Sequence, residues 1–159
     1  MGCCAAEDRS SIKKRCPHIP IGGGCLEGQE HSLREQMCSF AAGLPSKTSI
    51  VAVPLFLLKG VHTQVDIPRH IPDDRWQLTP LLGEHPAMAN LLDAQFPPGG
   101  GRILLCHGSS YPGALTGFEI LAQTIGAKPA YWQGEPQWQE HLTARNVYLL
   151  PYFLPAAIS

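Results

Sequence analysis

The sequence predicts an α/β fold with parallel strands, built from two similar βα halves. Three observations predict it. Short apolar runs alternate with stretches of helical period, as they do where helices connect parallel strands. One apolar segment occurs twice: Val51–Leu57 read VAVPLFL and Tyr148–Leu154 read YLLPYFL. A unit repeated at that distance marks a duplicated module. Between the copies, Pro97-Pro98-Gly99-Gly100-Gly101 reads as a linker. The expected organisation is an irregular arm over 1–21, a first repeat over 22–98 and a second over 99–159.

The elements follow in order. Residues 1–21 carry scattered charge and no hydrophobic period. Gly23–Glu27 reads as a short strand. His31–Gly43 reads as a helix, because Leu33, Met37 and Phe40 share a face and Gly43 can end it. Ser49–Leu58 is continuously apolar, as buried parallel strands are, with Pro54 near its end. Two prolines make any helix in Thr63–Arg75 short or irregular. Trp76–Leu82 reads as a strand and Pro86–Phe96 as a helix. After the linker come a strand at Arg102–Cys106, a helix at Gly113–Ile125, a strand at Lys128–Trp132, a helix at Gln137–Arg145 and a strand at Asn146–Leu150. Leu26-Glu27-Gly28 aligns with Trp132-Gln133-Gly134, so a carboxylate in one half faces an amide in the other.

Composition narrows the function. The chain has 159 residues, 44% of them hydrophobic, and a net charge of −1. That is a globular composition with no electrostatic case for nucleic acid or an anionic membrane surface. No apolar run approaches the ~20 residues of a membrane span, and no export signal is recognisable, so the cytoplasm is the expected location. The six cysteines form no C-x-x-C pair. Cys25, Cys38 and Cys106 read as buried free thiols, and a disulfide framework is not expected. Cys3, Cys4, Cys16 and His18 lack the spacing of a metal site.

Chemistry is expected at the carboxyl ends of the strands, where α/β sheets bind their ligands. Two such ends carry a histidine. One run leads into Gly60-Val61-His62, and Arg102–Cys106 leads straight into His107-Gly108-Ser109-Ser110. Glu27 follows a third predicted strand. Two imidazoles and a carboxylate suit a divalent transition metal, and imidazole also takes protons near neutral pH. Gly108-Ser109-Ser110 could hold an anion through backbone N–H groups at the following helix. There is no phosphate-binding glycine motif.

Pro54–Pro68, PLFLLKGVHTQVDIP, resembles a signature of the sirohydrochlorin chelatases, the small ATP-independent class II chelatases. Arg102–Gly113, RILLCHGSSYPG, resembles that family's His-Gly-Ser signature. The resemblance implies two subdomains, each with a parallel, flavodoxin-like sheet, and a cleft at the carboxyl ends of the strands. It implies insertion of Co2+ or Fe2+ into a tetrapyrrole, usually sirohydrochlorin, in cobalamin or siroheme biosynthesis. Carried over, His62 and His107 are the catalytic and metal-binding histidines and Glu27 an assisting acid. Gly60, Gly108 and Ser109 shape the rim. No organic cofactor is implied, since metal and macrocycle are both substrates. Lys59, Arg69 and Arg102 are candidates for the substrate's carboxylates.

The chain also departs from the family pattern. Residues 1–22 hold no first strand with its own His-Gly-Ser, Ser110 stands where arginine is usual, and the second half stops at Ser159 before the expected final loop and helix. The expectation is a chain truncated at both ends, which could dimerise to complete itself. A truncated homologue that binds tetrapyrrole or metal without turnover is the alternative. An α/β-hydrolase is a remote one, because G-x-S-x-G is missing.

Overall fold

A computed structural model describes residues 12–27, 30–142 and 146–153. The chain divides into two compact units. The first includes the described residues up to Ala52 together with Gln64–Leu78; the second includes Val53–Thr63 and Thr79 to Phe153. No helix among the described residues is long and apolar enough to cross a membrane.

The first unit is built on α1 (Leu33–Ala42) and a two-stranded parallel sheet of β1 (Ile50–Ala52) and β2 (Trp76–Leu78). Ser32 starts α1 as an N-cap, with Glu35 closing a reciprocal capping box, and Gly43 ends it. Met37 and Ala41 are buried, and Phe40 meets the Trp76 ring at 6.3 Å between centroids. The short helix α2 (Ile67–His70) has Pro68 in its first turn, and Arg34 of α1 donates to the carbonyls of Ile71 and Pro72 just beyond it.

Four sequence expectations fail in this part of the chain. Gly23–Glu27 forms no strand, because a side chain takes the place of a ladder. Cys25 N–H donates to Gln36 Oε1 at 3.1 Å, and Gln36 Nε2 donates back to the Cys25 carbonyl at 3.0 Å. The run from Ser49 to Leu58 is a strand only at Ile50–Ala52, and it is not buried throughout. Val51 is 57% exposed within β1, and Val53 and Leu55 beyond it are 55% and 51% exposed. Nor are the cysteines all buried thiols: Cys25 is disulfide-bonded and Cys38 is exposed, while Cys106 is free and buried. Trp76–Leu82 is also cut short, its ladder ending at Leu78 before Pro80, which has no N–H to donate.

The second unit holds a three-stranded parallel sheet in the order β4-β3-β5: β3 (Gly101–Cys106), β4 (Lys128–Tyr131) and β5 (Val147–Pro151). β3 is central, and its alternating side chains feed two cores. Leu104 and Cys106 face Phe118 and Ala122 of α4 (Thr116–Thr124), Met88 and Leu92 of α3 (Met88–Asp93), and the buried rings of Tyr131 and Tyr152. Ile103 and Leu105 face the other way, with Ala130, Leu149 and Trp138. Four consecutive buried residues, Ile103–Cys106, are what a strand covered on both faces requires. The prolines at 129 and 151 sit in the two edge strands, where a missing ladder donor is tolerated. The predicted helix from Gln137 is a single 3₁₀ turn, Trp138–His141, and residues 143–145 lie outside the described residues.

Candidate functional site

Central placement of β3 makes its carboxyl end the point where the chain's connections part. The crossover through α4 leads to β4 on one side, and the chain then passes to β5 on the other. At such a switch point the loops diverge and leave a crevice. His107 is the first residue beyond β3, and it is exposed.

The His107 turn is fixed by its backbone. Two bonds tie it to the turn after β4: Trp132 N–H donates to the Cys106 carbonyl at 2.8 Å, and Gln133 N–H to the His107 carbonyl at 2.9 Å. Gly108 has φ +92°, and a Cβ there would stand 2.0 Å from the Gln133 carbonyl oxygen. Only glycine fits that conformation and that approach. Gly108 N–H bonds the Cys106 thiol, and Ser109 Oγ accepts the Tyr111 N–H at 3.1 Å. The expected anion cradle at a helix start does not form, since α4 begins only at Thr116.

Beneath the turn the sheet is dry. Burial pushes the Cys106 thiol up to about 11. It pushes the Tyr152 hydroxyl up to about 12, and it raises Tyr131, whose hydroxyl donates to Glu119 Oε1 at 2.8 Å. These groups stay protonated at neutral pH and hold the floor of the turn in place.

His62 belongs to the same unit. It is exposed and begins a π-helical turn, His62–Asp66, with its ring 6.4 Å from that of Phe56. The residues before it are tied at both ends. Leu82 N–H donates to the Pro54 carbonyl and Gly83 N–H to the Phe56 carbonyl, at 3.2 and 3.1 Å. Thr63, only 5% exposed, accepts the Gly60 N–H at 3.0 Å and donates to the Gly60 carbonyl at 3.1 Å. Beside Gly60 the space is open, with no atom within 4 Å of where its Cβ would be. Leu57 and Leu58 pack on the core that contains Cys106, Phe118 and Tyr152. Both histidine loops therefore rest on one core.

Two of the three candidate cations are already paired. Lys59 Nζ meets Glu84 Oε1 at 2.8 Å, and the ammonium holds the Glu84 carboxyl below its usual range. Arg102 pairs with Asp93, donates to the Ile125 carbonyl and lies over the Phe96 ring, which makes it part of the scaffold. Arg69 is exposed. Glu27 is exposed in a bend of the first unit. Among the described residues no three His, Cys, Asp or Glu side chains come together to hold a metal ion.

Thr63 and Glu84 were not recognisable as parts of the site from sequence. Thr63 left a trace, since it follows His62 and stands three residues after Gly60, and Gln133 stood out only as the counterpart of Glu27.

A model of the CbiX family matches residues 6–97. No curated protein sequence matches the chain. Among solved structures, SirB from Bacillus subtilis with Fe3+ is similar, with a TM-score of 0.66 and 21% identity over 94% of this chain and 71% of that one. At this identity the likeness speaks for the fold: a class II chelatase-like α/β arrangement of parallel sheets, as the sequence predicts.

Proposed function

Because the chain belongs to the CbiX family, the sirohydrochlorin chelatases, whose substrates are a tetrapyrrole and a divalent metal, we propose that it inserts Co2+ or Fe2+ into sirohydrochlorin. The observation that carries this reading is His62, exposed beyond a braced loop and inside the matched segment. As the metal enters the macrocycle, the two pyrrolic N–H protons must leave. His62 is the group proposed to meet the metal and take a proton, since imidazole exchanges protons near neutral pH. His107 is proposed as the second imidazole and Glu27 as an assisting carboxylate. Gly60, Gly108 and Ser109 are proposed to leave the rim open to a flat ligand. The supply route, cobalamin or siroheme, follows from which metal is used, and the cytoplasm is the proposed compartment.

A second reading is a homologue that binds tetrapyrrole or metal without turnover. It is favoured by the lack of a three-ligand cluster among the described residues. An anaerobic spectrophotometric assay separates the two, with sirohydrochlorin and either Co2+ or Fe2+, beside the His62→Ala variant and a protein-free control. Insertion above the spontaneous rate that is lost in His62→Ala is the expected result. No rate above background from folded protein would leave the binding reading.

A further inference from the structure

Extending the strand register past β3 brings out a feature that neither histidine motif predicts. Leu105 pairs with Ala130 on one side and with Pro151 on the other, and Cys106 pairs with Tyr131. The hydrogen bonds carry that register further. Trp132 N–H donates to the Cys106 carbonyl, Gln133 N–H to the His107 carbonyl, and Tyr152 N–H to the Leu105 carbonyl at 2.7 Å. The next cross-strand neighbours are therefore Trp132, His107 and Phe153, in that order across the sheet.

Each of the three follows a buried residue. Tyr131, Cys106 and Tyr152 lie in the core under α4. Just beyond the ends of the three strands the chain leaves that core: His107 is exposed, Trp132 is 58% exposed and Phe153 is 40% exposed. Two large, partly exposed aromatic side chains thus stand on either side of an imidazole at the switch point of a sheet, where ligands bind.

The geometry points to Trp132 and Phe153 as a binding platform for the face of the tetrapyrrole, with His107 between them. This rests on the chelatase reading and adds to it a site in the half of the chain beyond the family match. A tetrapyrrole macrocycle is broad, flat and conjugated, so aromatic side chains can cover it by stacking or edge contact with little loss of conformational freedom. An imidazole between them is placed toward the middle of such a ligand, where the pyrrole nitrogens are.

The test is a titration of the full chain with metal-free sirohydrochlorin under nitrogen, read from the macrocycle's absorbance. The native protein is compared with Trp132→Ala, Phe153→Ala and Trp138→Phe, each checked for native circular dichroism. Trp132→Ala and Phe153→Ala are expected to weaken binding by about tenfold each. Trp132→Phe should recover most of the affinity, because a smaller ring remains, and Trp138→Phe should leave it unchanged. In turnover the two alanine variants should raise KM and alter kcat little. Tight binding that both alanine variants keep would overturn the platform alone. Failure of the native chain to bind the macrocycle would overturn the platform and the chelatase reading together.

Discussion

Gly108 and Gln133 stand so close that a methyl group on Gly108 would lie 2.0 Å from the Gln133 carbonyl oxygen. The approach ties the turn after β3 to the turn after β4, and the φ of +92° at Gly108 makes it possible. Gly108→Ala meets both a disfavoured backbone conformation and a collision with main chain, which cannot move aside as a flexible side chain can. We expect a loss of about 2–4 kcal/mol, read from urea unfolding. In protein that remains folded, His107 should shift, which the imidazole resonances would report.

Gly83 makes the equivalent contact under the His62 loop. A Cβ there would stand 1.9 Å from the Leu57 carbonyl oxygen and 2.7 Å from Tyr152 Oη. Gly83→Ala should cost about 1–3 kcal/mol as the Leu57 segment is pushed off its packing. Metal insertion should fall more than stability alone explains, because Leu57 leads within five residues to His62. An insertion rate measured well below the melting temperature checks this.

Alkaline pH should loosen the second unit in a defined window. The Cys106 thiol is raised from 9.0 to about 11 and the Tyr152 hydroxyl from 10.0 to about 12, both by burial. The folded state thus keeps these protons where the unfolded chain releases them. Their contribution is whole below about pH 9 and is lost as pH rises through the folded values. The urea midpoint should be flat toward neutral pH and fall above about pH 9. Cys106→Ala should flatten the first part of that fall.

In the first unit, Ser32 carries the start of α1. Its Oγ accepts the Glu35 N–H, while Glu35 Oε2 accepts the Ser32 N–H at 2.7 Å. Ser32→Ala removes one half of the capping box and should cost about 1 kcal/mol. Ser32→Asp should retain most of it. Helix circular dichroism during urea unfolding distinguishes the two variants.

Much of this was legible in the chain. α1 was readable because its apolar spacing and its end signals are local. Ile103–Cys106 was readable because burial on both faces leaves an unbroken apolar run. Where the expectation failed, a longer-range partner had taken the hydrogen bonds: Gln36 at Cys25, and the residues 82–83 for the segment after Ala52. An apolar run such as Val51–Leu57 shows that a segment seeks burial. It does not show how many neighbouring strands are there to provide it.

The sequence by itself determined the fold class, the parallel sense of the strands and the two histidine loops, because periodicity, turn residues and short motifs are written within a few residues of one another. Only the tertiary structure decided that β3 is the central strand, that Gly108 and Gly83 are pressed against backbone, and that Trp132 and Phe153 flank His107. Those are relations across strands, set by hydrogen-bond register between residues far apart in the chain, and no local pattern encodes a register.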